Sequence, residues 1–541
     1  MALKKQKTMN NFIITLCLCF IMIHQTNAQT YADDIAQIFF DNCTVCHHNG
    51  GVAPFSLMTY AEVSSMTSLI QPAVNNEIMP PWPPDNTYSQ FTHERSLTST
   101  EISAIDSWIN AGAPEGNSAN TPAPPFYHNN SLLGQGDFSV RIPDYISKAT
   151  FGNDDYVCFS IPTTGLNTTE SIQAIEVIPG DPSIVHHVLV YVDPTGTYPT
   201  DTTSHSCAGP SNPNIGLIAG YAPGSMPSQY PNSSTLKMGT DITPGSNIIL
   251  AMHYPAGSQG KLDSTRVTLH FHDQNTSGIR NVTSTPILQN TSFVINANTV
   301  DSVESWFPSS STPLPINMSM FSIFPHAHLL GQNFIVYAVN HFPPYDKIPL
   351  IHIPKWDFEW QGFYVFKYLQ KMPAGYKLYG KAIYDNTTNN PYNPNFPPQN
   401  VSFGLNTTDE MFIVYFQYLT YQNGDELINI DSLLQLQTTT QNKPISINEN
   451  GVFMTTYPNP TNTITSIEYY TKSPSKISLA IYDIKGQRVK NLIVSEYKQG
   501  QHISIWDGTN DSGNLVPAGV YFSQLNINSK TVIRKIIRTS K

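Results

Sequence analysis

Charge is what this sequence has least of. Only 12% of its 541 residues are Asp, Glu, Lys or Arg, and the balance is −11. A chain so poor in positive charge lacks the basic footprint of nucleic-acid binding, which excludes nucleic acid as a partner. Long apolar runs are scarce too. Phe12 to Ile23 is too short for a comfortable membrane span, and no later stretch is long enough, so the mature chain is expected to hold no transmembrane segment. Cysteine is rare: Cys17, Cys19, Cys43, Cys46, Cys158 and Cys207 are the whole complement. What is plentiful is Pro, Asn, Thr, Ser and Tyr, a mixture suited to extracellular β-rich domains with many turns rather than to a cytosolic α/β enzyme. The length is too great for one core and predicts three or four domains.

The start fixes the compartment. Lys4, Lys5 and Lys7 precede the short apolar run, and Thr26-Asn27-Ala28-Gln29 offers small residues for cleavage. Residues 1–28 therefore read as a secretory signal peptide, and the mature protein as exported. Cys17 and Cys19 leave with it. Cys43 and Cys46 belong to a motif, and the remaining pair, Cys158 and Cys207, is most simply a disulfide outside the cytoplasm.

Residues 29–118 read as a small haem domain. Cys43-Thr44-Val45-Cys46-His47 is the attachment signature of a c-type haem: two thiols for the vinyl groups and a histidine for one face of the iron. Zinc would want a second ligand pair nearby and a redox CxxC a βαβ frame, and neither is present. Residues 33–40 look helical, and a last helix is predicted over Thr100 to Ala111, capped by Ser99 or Thr100. Met79, in Met-Pro-Pro-Trp, is the first choice for the sixth iron ligand, with Met58, Met66, His48 and His93 as rivals. With Ala-Gly-Ala-Pro at its end, the segment resembles a single-haem cytochrome c domain, which implies electron carriage.

A Pro/Ala/Ser linker over 119–134 leads into two β-rich regions, 135–287 and 288–440. Short segments such as 172–178, 185–192, 247–253, 265–271, 320–324, 334–339, 363–368 and 410–419 read as strands of a sandwich or jelly-roll pair. Histidines cluster on them. His326 and His328 lie two apart in Ile-Phe-Pro-His-Ala-His-Leu-Leu-Gly, so on a strand they aim at one point. His186 and His187 are adjacent at the head of an apolar strand and can share an ion only if the backbone is irregular there; His253 ends another strand. Imidazole-rich sites in an oxidising compartment suit copper or zinc.

Four stretches then carry a resemblance: His186-His187-Val188-Leu189, Met252-His253-Tyr254, His326 to Gly331, and Thr407 to Tyr415. In that order they resemble the type II copper, ascorbate-dependent monooxygenases, the group of peptidylglycine α-hydroxylating and dopamine β-monooxygenase. The resemblance implies two eight-stranded sandwiches and two copper ions across a water-filled cleft with no bridging ligand. His186, His187 and His253 would hold the electron-storing copper. His326, His328 and Met411 would hold the copper that meets O2 and faces a small organic substrate, with Tyr415 beside it. Thioether favours reduced copper. Electrons would come from an external donor, ascorbate or a redox protein, by way of the fused haem. Where peptide-amidating members have an Arg and an Asn that grip a carboxylate, this chain has Phe324 and Ile413, so an apolar or aromatic substrate is expected. Asp409-Glu410 belongs to the same stretch and could equally serve solubility at a strand edge.

Beyond residue 450, Tyr457 to Pro460, Ile481 to Gly486, Trp506 to Gly513 and Pro517 to Phe522 are short strands and sharp turns. They resemble the C-terminal sorting domain of the type IX secretion system, an Ig-like sandwich. That implies the type IX machinery as a partner and a protein secreted or surface-attached in a Gram-negative bacterium. The acids at 507–513 read as a turn rather than a calcium loop.

Overall fold

The computed structural model describes residues 29–434 and 452–539 apart from short gaps. The gaps are residues 50, 126–130, 135, 204–206, 208, 211, 213–214, 405, 458–460, 462–464, 472–474, 498–499 and 528–529. The signal peptide, with Cys17 and Cys19, lies outside the described residues. The chain forms two compact units, 1–435 and 436–541.

The first unit opens with helices around a core of Tyr31, Ile35, Phe39, Val63, Ile105 and Trp108. The last helix is Ser99–Asn110, and its cap is Thr98, not Ser99 or Thr100. Thr98 and Glu101 exchange side-chain and backbone bonds in a capping box, a signature already present in the spacing Thr-x-x-Glu. The segment 29–118 does not stay within this helical cluster. Residues 85–92 cross to a distant strand, Tyr364–Met372, at the edge of its sheet. The Thr92 N–H donates to Val365, Lys367 donates to Gln90, and Phe91 stacks on Phe366 at 5.3 Å. An open strand edge is thereby covered.

Both β regions are sandwiches. In the first, Asp155–Pro162, Asn247–Tyr254, His187–Asp193 and Gly216–Tyr221 form one antiparallel sheet. It packs on a second sheet led by Phe138–Arg141, Arg266–Phe271 and Glu170–Ile178. Alternate residues of the strands, such as Val157, Val188, Leu250 and Met252, fill the space between with Ile172, Val267 and Leu269. The second sandwich pairs Thr283–Asn290, Phe412–Thr420, Met318–His326 and Tyr364–Met372 in one sheet. Val300–Phe307, Tyr376–Asp385, Gly331–Asn340 and Lys347–Ile353 make the other. The strand Thr283–Asn290 pairs with Phe412–Thr420, so the second sandwich begins before residue 288. Two apolar clusters join the sandwiches: Leu189 and Tyr191 with Phe324, Phe363 and Tyr415, and Tyr230 and Met238 with Phe321 and Leu419.

Cys158 and Cys207 are bonded, as the cysteine inventory predicts. The bridge ties an edge strand, Asp155–Pro162, to a loop 49 residues further on. Closing a loop of that length stabilises by about 3–4 kcal/mol in the chain-entropy account. The Cys158→Ser, Cys207→Ser pair should lower the stability extrapolated to zero urea by a corresponding amount and steepen the slope, because the freed unfolded chain exposes more surface; an unchanged stability would assign the bridge no such role.

The second unit is a sandwich of three-stranded and four-stranded antiparallel sheets around Trp506, Tyr469, Ile481, Leu525 and Ile536. The acidic stretch after Trp506 is a turn. Asp507 accepts from the Thr509 N–H and from Lys490, and Asn510 accepts from Ser512 and Asn514.

Candidate functional site

Three histidine rings meet at the end of the first sandwich. The strand begins only at His187, after a turn at 182–184, and His186 is held outside it by its N–H on the His253 carbonyl. That irregular entry lets adjacent histidines converge. The Nδ1 atom of His187 lies 3.2 Å from that of His186 and 3.2 Å from that of His253. Protons cannot occupy all of these short Nδ1 contacts at once, so lone pairs face a common centre, an arrangement that fits an ion. The far sides of the rings are engaged. His186 Nε2 is 2.8 Å from the Glu359 carboxylate, and His253 Nε2 is 3.3 Å from Asp154. Tyr156 stacks on His253 at 4.2 Å. Burial lowers His187 well below the ordinary imidazole range, with its histidine neighbours adding to the effect, and lowers His253 to about 4. Burial alone would raise Asp154, but bonding to His253 and Thr407 holds it below the usual carboxylate range.

The second cluster uses the opposite edge of its rings. Met318–His326 ends at His326, and His328 lies just beyond it rather than within the strand. The two rings still meet, centroids 5.2 Å apart. His326 Nδ1 bonds Gln361 at 2.6 Å and His328 Nδ1 bonds the Asp409 carbonyl at 3.1 Å. Both Nδ1 atoms are thus occupied by oxygen acceptors, which puts the proton there and leaves Nε2 as the free donor. Burial lowers His326 to about 4 and His328 to about 3, so both are neutral ligands at pH 7.

Met411 is buried, two residues after the Asp409 whose carbonyl His328 bonds. Glu410, fully buried, accepts from the N–H groups of His328, Met411 and Leu330, and Tyr384 donates to the Met411 carbonyl at 2.7 Å. One carboxylate therefore joins the backbone of the histidine pair to that of the methionine. Glu410 is no solubility residue. Burial pushes its carboxyl up to about 8 against the pull of the three N–H donors.

The two clusters are not separated by solvent alone, contrary to the open cleft implied by resemblance. The Phe358 ring stacks on His186 at 5.1 Å and meets His328 edge-on at 6.1 Å. Phe324, where a carboxylate clamp would stand, is buried against Phe363 and opposite Tyr415. Tyr415 packs in the same inter-sandwich cluster. No spacing in the sequence marks Phe358, Glu359 or Gln361, because their role depends on a loop from one sandwich reaching the other.

The attachment turn is formed. Cys46 and His47 donate to the Cys43 carbonyl, and His47 Nδ1 bonds the Phe55 carbonyl at 3.1 Å, leaving Nε2 free. Both thiols are unpaired. This fits a thioether-linked group with an axial imidazole. Gly224 stands against Cys46, with φ +81°; a Cβ there would come 2.7 Å from the sulfur and 3.2 Å from the Trp360 ring. A cavity of about 70 Å³ lies between Val45, His48, Tyr221, Gly224 and Met226. Met79 is 43% exposed on the segment after the helix Thr67–Asn75.

Comparison with known proteins adds little at these sites. Residues 459–530 match the model of the FlgD Ig-like domain. No curated protein matches the chain. PorZ of the type IX secretion system of Porphyromonas gingivalis is similar over 24% of this chain and 15% of its own, with 16% identity and a TM-score of 0.13. Dimeric latent PorU of the same organism is similar over 72% of this chain and 34% of its own, with 10% identity and a TM-score of 0.15. A Ruminococcus gnavus β-glucuronidase covers 45% of this chain and 36% of its own, at 9% identity and a TM-score of 0.11. The chain thus spans well under half the length of each, at scores too low to carry an argument.

Proposed function

We propose that this protein is an exported copper-dependent monooxygenase that hydroxylates a C–H bond of a small organic substrate with O2. The observation that carries the reading is the opposed use of the imidazole rings: three Nδ1 atoms converge in one sandwich, while in the other both Nδ1 atoms are tied and the backbone of His328 shares the Glu410 carboxyl with that of the buried Met411. That is the donor set of two separate sites, one all-imidazole and one imidazole–thioether. Two bound copper ions would supply one-electron chemistry toward dioxygen, and a haem at Cys43, Cys46 and His47 a resident electron store filled by an external donor such as ascorbate or a redox protein.

The chain's own residues hold and shield. His186 and His253 present unprotonated Nδ1, with Glu359 and Asp154 on their far nitrogens, and His187 Nδ1 lies between them. His326, His328 and Met411 form the second site, fixed by Gln361, Asp409 and Glu410. The Phe358 ring stands between them. With Phe324 and Ile413 where the Arg and Asn of a carboxylate clamp would be, the substrate is apolar or aromatic rather than a peptide acid. Met79 remains the proposed partner of His47 on the other face of the iron. The second unit is read as a type IX sorting domain, and its match to the FlgD Ig-like model over 459–530 supports that reading of an exported protein.

A second reading has its own support. Phe324, Phe363, Tyr191 and Tyr415 fill the ground where substrate would be gripped, which suits a protein that binds copper and passes electrons without oxidising a substrate. Metal analysis with visible and EPR spectra, followed by O2 uptake of the reduced protein, separates them. One haem and two coppers per chain with substrate-stimulated O2 uptake is the expected result. Zinc in both sites would sink either reading, and bound copper without O2 uptake would favour the second.

A further inference from the structure

The loop 356–361 belongs to the second sandwich and serves both histidine clusters. Trp356 anchors it: its N–H donates to Gln332, and its indole lies on Gly331, where a Cβ would come within 2.7 Å. Asp357 turns the chain by accepting from the Glu359 N–H at 2.9 Å. The Gln361 amide donates to the Phe358 carbonyl, which closes the loop on itself. From this frame Gln361 reaches His326 of its own sandwich, and Glu359 reaches His186 of the other. The Phe358 ring lies between.

The Glu359 contact decides a proton. Its carboxylate can only accept, so His186 must donate from Nε2, which strips the proton from Nδ1. The Nδ1 atom is the one that faces His187 at 3.2 Å. Without the carboxylate, nothing else described fixes the His186 tautomer in favour of an outward Nε2–H. The Glu359 side chain is 74% exposed, so the bond adds little to stability and its effect is orientation.

We propose that Glu359 is a positioning residue which the second sandwich supplies to the three-histidine site of the first, so that this site is ligand-ready only while the two sandwiches are docked through the 356–361 loop. As a copper site this rests on the function proposed above; the tautomer claim does not.

The test uses the full chain, as wild type, Glu359→Ala, Glu359→Gln and Gln361→Ala. Long-range proton–nitrogen spectra of the metal-free, ¹⁵N-histidine-labelled protein read the tautomers. His186 should carry its proton on Nε2 in wild type and in Glu359→Gln, whose amide oxygen still accepts, and become a mixture in Glu359→Ala. Cu(I) competition against a chromophoric chelator reads the sites. Glu359→Ala should weaken one of two sites by about 10–100-fold, Glu359→Gln should recover most of that, and Gln361→Ala should weaken the other site instead. Thermal midpoints of the Glu359 variants should match wild type. A wild-type tautomer pattern and unchanged affinities in Glu359→Ala would overturn the proposal with the copper reading intact. Wild type that binds no copper would defeat the copper reading, and the tautomer spectra would still decide for or against Glu359.

Discussion

Glu410→Ala should unfold the second sandwich about 10 °C below wild type. The carboxylate is fully buried and serves three backbone donors at once, those of His328, Leu330 and Met411. Truncation leaves all three without an acceptor in a place water does not reach. Each stranded donor costs about 1–3 kcal/mol, so a loss of about 3 kcal/mol or more is expected. For a sandwich of this size that corresponds to about 2–4 °C per kcal/mol. Glu410→Gln should fall between the two, because one carbonyl oxygen can still serve His328 and Met411 while its amide faces Leu330. Calorimetry of the metal-free protein measures this directly. A Glu410→Ala midpoint within a degree or two of wild type would mean that the carboxylate does not hold the histidine pair to the methionine.

On the function proposed above, Met411→Leu should leave the fold standing and abolish O2 uptake. Leucine has nearly the volume of methionine, and such exchanges usually cost under about 1.5 kcal/mol in a packed site. What is lost is the sulfur. The backbone of Met411 is held from both sides, by Glu410 at its N–H and Tyr384 at its carbonyl, so the replacement side chain takes the same place. With only two imidazoles left, the site loses the soft ligand that favours reduced copper. O2 uptake should fall by about a thousandfold, an effect of roughly 4 kcal/mol on the barrier. The three-histidine site should keep its EPR signal. A variant that still consumes O2 at a rate near wild type would remove Met411 from the site.

Much of this was legible in the chain, for identifiable reasons. Strand alternation and turn residues announce two sandwiches, and the strand cores at 247–254 and 318–326 fall where apolar runs place them. Adjacent His186 and His187 demand a broken strand entry, and the turn at 182–184 provides it. Local signals also mark the Cys43–His47 turn and the disulfide. What was not legible depends on distant contacts. Glu410 looks like any acid at a strand edge until three N–H groups from its own strand and a neighbouring loop close on it. Glu359 lies 173 residues from His186. Phe324 reads as a lost clamp, yet its burial against Phe363 and Tyr415 shows a surface given over to joining sandwiches. The helix cap at Thr98 was visible in the spacing to Glu101, a local sign with a stronger claim than Ser99 or Thr100.

The crossing of residues 85–92 to the strand Tyr364–Met372 has a genetic consequence. Chain order suggests a cytochrome-like cassette joined to the rest by a linker, the sort of segment that recombination can add or discard. The bonds say otherwise. Phe91 is buried on Phe366 and Tyr364, Asp85 holds His352, and the Thr92 and Lys367 amides complete the edge of that sheet. A gene trimmed of residues 29–118 would encode a sandwich with a bare strand edge and an aromatic patch, prone to self-association. The cassette and the surface that receives it are therefore physically coupled, and a version without the one should need charge or proline along the other.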